Sequence, residues 1–357
     1  MATTEPSSVS RQLSQPTYED LGEDQHLAPL FAPGGGTTLA QWQRRRPELC
    51  RRWDEVLGHP SFGHYNKGAE VVREFELPEF RGTLLRQPTG PDTKQLVLLM
   101  EPTRPARSPR PGAVVPFYHP DTMAGCNVET GEWLAERSTV QFGRHLVQQG
   151  YVVVCTEAFP YNTVPEPAEN AGFAWWQAGA EQVLRDNPQW TGMGKLVHDT
   201  SRAVDLLLEQ PAVDPQRIVC IGHSLGGKMA FYTGCLDDRI KAVVASDFGI
   251  GWNFTNWDDL WYLGKQLHAE GFPLAHHQLL ALLAPRSFLL IAGQYDKRES
   301  WQYLKAAQPV YRLYGKETAV GMFDHASGHR PTEESMRLAY RWLAEQFALP
   351  EQPWEAS

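Results

Sequence analysis

The chain has 357 residues, with 42% hydrophobic and 21% charged positions and a formal net charge of −9. These are values of a globular protein with room for one large domain or two average ones. The acidic balance argues against a nucleic-acid binder, which needs a basic face to displace counterions from phosphates.

Residues 1–36 are polar and hold no apolar core of a secretory signal, so they read as a flexible N-terminal tail. Five cysteines, an odd number with no C-x-x-C pair, suit buried thiols in a reducing compartment and a cytoplasmic protein. No disulfide framework, metal site or cofactor is implied. The most apolar window, Leu279–Gly293, is broken by Pro285 and Arg286 and is too short to cross a bilayer. Neither a membrane nor a nucleic acid is expected as partner, and the oligomeric state is left open between monomer and homo-oligomer.

Residues 37–350 read as a single domain. It opens with a helical lead-in, 37–68, in which Leu39, Trp42, Leu49, Trp53 and Leu57 recur at helical spacing and Pro47 marks a break or a second start. Short β-rich runs follow between Val71 and Phe117, punctuated by Pro and Gly, as in an antiparallel opening to a sheet. The rhythm then changes to helix and apolar strand in alternation. Helices are expected over Gly131–Gln149, Lys195–Gln210, Leu225–Cys235 and Trp301–Tyr314. The strands are "YVVVCTE", "RIVCI", "IKAVVAS", "SFLLIAG" and "ETAVGMF", and a final helix begins at Thr332. Apolar strands alternating with helices mean a mostly parallel central sheet flanked by helices, the α/β class. Residues 249–284 interrupt the alternation after the sixth strand as an aromatic-rich insertion, expected as a cap or lid. Its Trp252, Trp257, Trp261 and Tyr262, with Trp175 and Trp176 of a second aromatic cluster placed in a long loop, are candidates to wall a substrate pocket.

The chemistry is suggested by "RIVCIGHSLGG", Arg217–Gly227. Gly-His-Ser-Leu-Gly lies between an apolar strand and a helix, the setting of a nucleophile elbow. The glycines at 222 and 226 leave space where the turn brings backbone together, and the hydroxyl of Ser224 is held out, beside the first N–H groups of the next helix. A serine hydroxyl needs a base, and the base an orienting acid. In an α/β-hydrolase sheet the chain order is Ser, acid, His. Asp296, after "SFLLIAG", is the expected acid, with Asp247 at the end of "AVVASD" as its competitor. His329, just before the last helix, is the expected base, with His325 second. His223 is expected to point away from the nucleophile's partner, and His276 and His277 to lie on the surface. The oxyanion hole needs the N–H of Leu225 and a second from the loop after an early strand, at Tyr118 or His119.

With these residues in hand, "GHSLGG", "GQYD" and "GHRP" resemble the α/β-hydrolase superfamily. The stretch from Arg202 to Asp247 resembles its dienelactone hydrolase-like and acetyl xylan esterase-like serine hydrolases. The resemblance implies the α/β-hydrolase fold, Ser224, Asp296 and His329 as triad, and a small-molecule ester as substrate. Dienelactone hydrolases proper use Cys where this chain has Ser224. The resemblance implies a carboxylesterase, a deacetylase or a lactone-opening esterase working through an acyl-enzyme on Ser224. The alternatives are a thioesterase, a peptidase of the prolyl-oligopeptidase type, for which some 70 residues before the first strand are too few to hold a propeller, or a non-catalytic binding protein on the same scaffold.

Overall fold

The computed structural model describes residues 8–31, 37–105, 109–163 and 173–355. Eleven strands and ten α-helices are found among them. The strands are β1 (Glu70–Glu76), β2 (Phe80–Pro88), β3 (Lys94–Pro102), β4 (Arg110–Pro116), β5 (Cys126–Asn127), β6 (Glu132–Trp133), β7 (Val152–Thr156), β8 (Val213–His223), β9 (Ala242–Ser246), β10 (Ser287–Ala292) and β11 (Val320–Asp324). Nine of them form one sheet in the order β1-β2-β3-β7-β4-β8-β9-β10-β11, and β5 and β6 make a separate hairpin. The β1–β2, β2–β3 and β3–β7 pairs are antiparallel, and every pair from β7–β4 to β10–β11 is parallel. The antiparallel opening and the parallel continuation are those expected from the run pattern.

Alternation along each strand sends successive side chains to two different cores. Val97, Leu99 and Val154 join one cluster, while Leu98, Met100 and Val153 join the other. The first cluster is covered by α2 (Leu39–Leu57), α6 (Gly192–Leu208), α7 (Leu225–Leu236), α8 (His276–Leu283) and α9 (Ser300–Leu313), with α5 (Phe173–Asp186) alongside. The second is covered by α1 (Val9–Leu13), α3 (Pro120–Ala124), α4 (Phe142–Gln148) and α10 (Glu333–Gln346). Over β7, β9 and β10 both faces of the sheet are dry, which is why those strands are buried and mostly apolar, while the edge strand β1 is exposed and charged.

Several boundaries differ from expectation. Helix α2 runs through Pro47 unbroken, because a buried stripe of Trp42, Leu49, Trp53 and Leu57 holds it, with a Thr38–Gln41 capping box at its start. The helix expected over Gly131–Gln149 is only α4, since the β5–β6 hairpin and a loop take the first part. The cluster placed in a loop around Trp175 and Trp176 starts α5 instead.

The largest difference is at the N-terminus. Residues 8–31, expected to be flexible, are packed on the body of the protein; residues 1–7 and 32–36 lie outside the described residues. Val9 and Leu13, one helical turn apart, are buried in the second core. The Glu345 carboxylate accepts bonds from the Val9 and Ser10 N–H groups at 2.7 and 2.9 Å and from both serine hydroxyls, Ser8 and Ser10. Farther along, the Tyr18 hydroxyl donates to Asp324, and His277 is bonded to the Ala28 carbonyl. Polar composition concealed two anchoring apolar residues and a distant carboxylate that satisfies the first N–H groups of α1.

Replacing Glu345 with alanine strands those donors. We expect Glu345→Ala to lower the unfolding free energy by about 1–2 kcal/mol, read as a fall in the denaturant midpoint; an unchanged midpoint would mean the N-terminal segment is not stabilised through this carboxylate.

Candidate active site

Ser224 stands between β8 and α7 with φ 54° and ψ −118°. A residue with a side chain rarely takes positive φ, and the strain is of order 1–3 kcal/mol. Here the surroundings impose it. The Ser224 N–H donates to the Ser246 carbonyl at 2.8 Å, and its own carbonyl accepts from Lys228 N–H at 3.0 Å. A methyl group on Gly222 would collide with the Gly226 carbonyl, and one on Gly226 with the Pro116 carbonyl. The spacing of the two glycines is thus a steric requirement of the turn, as inferred from the sequence.

The next strand ends in the same way. Asp247 follows β9 directly, has φ 44°, and donates its N–H to the Ile291 carbonyl at 2.7 Å. Its carboxylate is fully buried. Oδ1 accepts the N–H groups of Gln294, Tyr295 and Asp296 at 3.1, 2.8 and 2.8 Å. Oδ2 accepts Nδ1–H of His329 at 2.6 Å. Burial alone would raise the carboxyl pKa, yet the imidazole and the three N–H groups together hold it below the usual aspartate value. Asp247 is therefore ionised at neutral pH and fixes His329 with its other nitrogen, Nε2, as the one available to a reacting group.

This corrects the expected acid. Asp296 sits under the site, fully buried, and does not bond His329. It accepts the Gly249 and Ile250 N–H groups at 2.7 and 2.8 Å and the Ser300 hydroxyl at 2.9 Å. Burial pushes its carboxyl up to about 6, against the opposing Ile250 bond and with the negative Asp247 adding to the rise. The physical reason is distance along the chain. Asp247 is the first residue past its strand, at the sheet edge beside Ser224. Asp296 is four residues past β10, where the loop has turned inward to meet α9.

His329 is also held by its flat surroundings. The His223 ring lies 4.4 Å from it and the Tyr295 ring 4.9 Å, edge-on at 80°. His223 thus faces the base rather than pointing away as expected, since its Nδ1 is anchored to the Ser246 hydroxyl at 3.2 Å. Burial, helped by the nearby His329, pushes it down to about 3, so it is neutral. His325, the second candidate base, bonds Ser327 at 2.8 Å and lies against Gly293.

Ser224, Asp247 and His329 line one cavity of about 740 Å³, together with Phe117, Tyr118, Lys228, Asn256 and Tyr262. That size suits a small-molecule site. Leu225 is the first residue of α7, where N–H groups have no intrahelical partner. Of the two expected oxyanion partners, Tyr118 lines the cavity, while the His119 ring turns to Asp121 at 3.1 Å.

Proteins of known description resemble the chain in sequence and in fold. The model of the prolyl oligopeptidase family matches residues 185–349, which span Ser224, Asp247 and His329. YtaP of Bacillus subtilis (strain 168), described as a hydrolase, is 29% identical over 57% of this chain and 69% of its own length. Carbohydrate esterase MZ0003, from an unknown prokaryotic organism, is 22% identical over 53% of this chain, which spans less than half of that relative at 46%. Among solved structures, a glucuronoyl esterase from Solibacter usitatus superposes with a TM-score of 0.64 at 18% identity, over 89% of this chain and 96% of that one.

The chain has the α/β-hydrolase fold.

Most of the aromatic residues expected to wall the pocket serve the core instead. Tyr262 lines the cavity. Trp257 is fully buried and donates its indole N–H to the Gly249 carbonyl at 2.7 Å. Trp252 donates to the Leu274 carbonyl at 3.0 Å and packs on His276, with ring centres 3.8 Å apart. Trp176 stands behind Tyr118 at 5.0 Å and contacts Trp261 at 6.0 Å, and Trp175 leans on Tyr161 at 4.8 Å. His276 and His277, expected at the surface, are both buried; His276 joins Tyr232 to the Ile250 carbonyl. The segment read as a cap therefore forms part of the first core, through Trp257, Leu263 and α8.

One site residue escaped the sequence reading altogether. Lys228 lies one turn into α7, buried, with Nζ donating to Asn256 Oδ1 at 3.0 Å and standing 3.8 Å over the Tyr262 ring and 4.3 Å over Trp257. Burial pushes its amine well below the usual lysine range. The available signal was a lone charge in the apolar helix "LGGKMAFYTGCL".

The geometry separates the two aspartates experimentally. Asp247→Asn is expected to lower kcat on an activated ester by about 10³–10⁴-fold, the scale of losing the group that fixes the imidazole tautomer. Asp296→Asn should stay within about tenfold of the parent. The reverse ranking in steady-state kinetics would restore Asp296 as the orienting acid.

Proposed function

We propose that this hydrolase cleaves carboxylic esters of carbohydrates through an acyl-enzyme on Ser224. Carboxylic ester hydrolysis by a serine nucleophile is its reaction class. The observation that carries the mechanistic assignment is the bond from His329 to the buried Asp247, made at the wall of the cavity that also holds Ser224. His329 Nε2 takes the Ser224 proton as the hydroxyl oxygen attacks the ester carbonyl, and Asp247 stabilises the imidazolium that results. The Leu225 N–H and a partner at Tyr118 receive the oxyanion, each donor contributing roughly 10²–10³-fold in rate. His329 then returns the proton to the departing alcohol, and water clears the acyl group by the same steps in reverse.

Two supports point to a sugar ester. One structural neighbour is named a glucuronoyl esterase and one relative a carbohydrate esterase. The cavity also has polar groups on several sides, from Lys228, Asn256, Thr255 and Thr122, beside the aromatic Tyr118 and Tyr262. Such a lining suits a polyhydroxylated ring better than a long acyl chain. The prolyl oligopeptidase family match keeps a peptidase as the second reading.

We expect purified protein to hydrolyse p-nitrophenyl acetate and methyl esters or acetates of sugars in preference to aminoacyl anilides. Ser224→Ala should bring turnover to background while its circular dichroism and melting temperature stay those of the parent. A Ser224→Ala variant with undiminished turnover, or a wild type that cleaves only the anilides, would overturn the proposal.

A further inference from the structure

His329 must reach the oxygen of the departing alcohol to protonate it, so residues flanking its ring face the alcohol side of the substrate. Two such residues have no part in the chemistry. Tyr295 is 37% exposed, lines the cavity and stands edge-on to His329. Its backbone is pinned, because its N–H is one of the three that bind Asp247 Oδ1. Arg330, the next residue after His329, is exposed, also lines the cavity, and makes no hydrogen bond or ion pair among the described residues. Asp247 is the sole carboxylate among the described lining residues, and both its oxygens are taken. The mouth of the cavity thus carries an uncompensated guanidinium on a chain whose net charge is −9.

Building on the sugar-ester reading, we propose that Tyr295 and Arg330 form an outer subsite for the alcohol part of the ester, and that it takes an acidic sugar, a ring bearing a carboxylate. The phenol ring offers a fixed flat surface for the ring, and the guanidinium a two-pronged donor for the carboxylate. A neutral sugar would gain the first contact and not the second.

Binding to Ser224→Ala tests this without turnover. The variant is titrated calorimetrically with two synthetic esters that share one acyl group and differ only in whether the alcohol sugar carries a carboxylate. The acidic ester should bind about threefold to tenfold tighter, a gap that shrinks as salt rises from about 0.05 M to about 0.5 M. Arg330→Gln, at an exposed position, should bring the two affinities together, and Arg330→Glu should reverse their order. Tyr295→Ala should weaken both esters alike. Equal affinities in the Ser224→Ala protein, no binding of either ester, or a preference that survives Arg330→Gln would overturn the subsite. Ser224-dependent turnover of the neutral ester by the wild type, measured beside it, shows whether the ester-hydrolase reading stands when the subsite falls.

Discussion

The carboxylate of Asp247 ties the functional end of the molecule together. One oxygen gathers three consecutive N–H groups from the loop after β10, and the other holds His329 from the loop after β11. The residue is itself locked to β10 through its own N–H. A charge this deeply buried persists only when bonded on every side. The bonds that keep it ionised are therefore the same ones that fix the shape of two loops. Ser224 joins the arrangement through the Ser246 carbonyl, one residue before Asp247. Nucleophile, base and acid come from three different loops, yet a short run of backbone bonds across neighbouring strands sets their positions.

Such a site needs a rigid floor. Two dry cores on either side of a nine-stranded sheet provide it, and the aromatic residues after β9 belong to that floor more than to the pocket. His276 is neutral, pushed down to about 3 by burial, and joins Tyr232 to the Ile250 carbonyl. Ile250 in turn gives its N–H to Asp296. Asp296 is thus an anchor for the turn that follows Asp247, holding it from below while the N–H of the same residue helps bind Asp247 from the side. Two aspartates that look equivalent in the chain divide the work, one orienting the base and one fixing the backbone around it.

How much of this could be read beforehand follows from range. The elbow was legible because its requirement is local: two glycines, a serine between them, and a strand and a helix on either side. The sheet was legible because parallel strands buried on both faces must be apolar. The choice between Asp247 and Asp296 was not, because both end apolar strands at the same edge and the difference lies in where a four-residue loop turns. The packed N-terminus was hidden for a similar reason. Its stabilising partner, Glu345, is more than 330 positions away. Aromatic density misled, since tryptophan serves a core and a pocket equally well by composition, and the burial of Trp257 and Trp252 is a property of the folded chain alone.

The central claim is the hydrogen bond between His329 and Asp247, and it has a direct spectroscopic signature. A proton shared between an imidazole and a buried carboxylate resonates far downfield in the proton NMR spectrum recorded in water. One such resonance is expected in the parent protein, kept in Asp296→Asn and lost in Asp247→Asn and in His329→Ala. A downfield proton that survives Asp247→Asn and disappears with Asp296→Asn would contradict it.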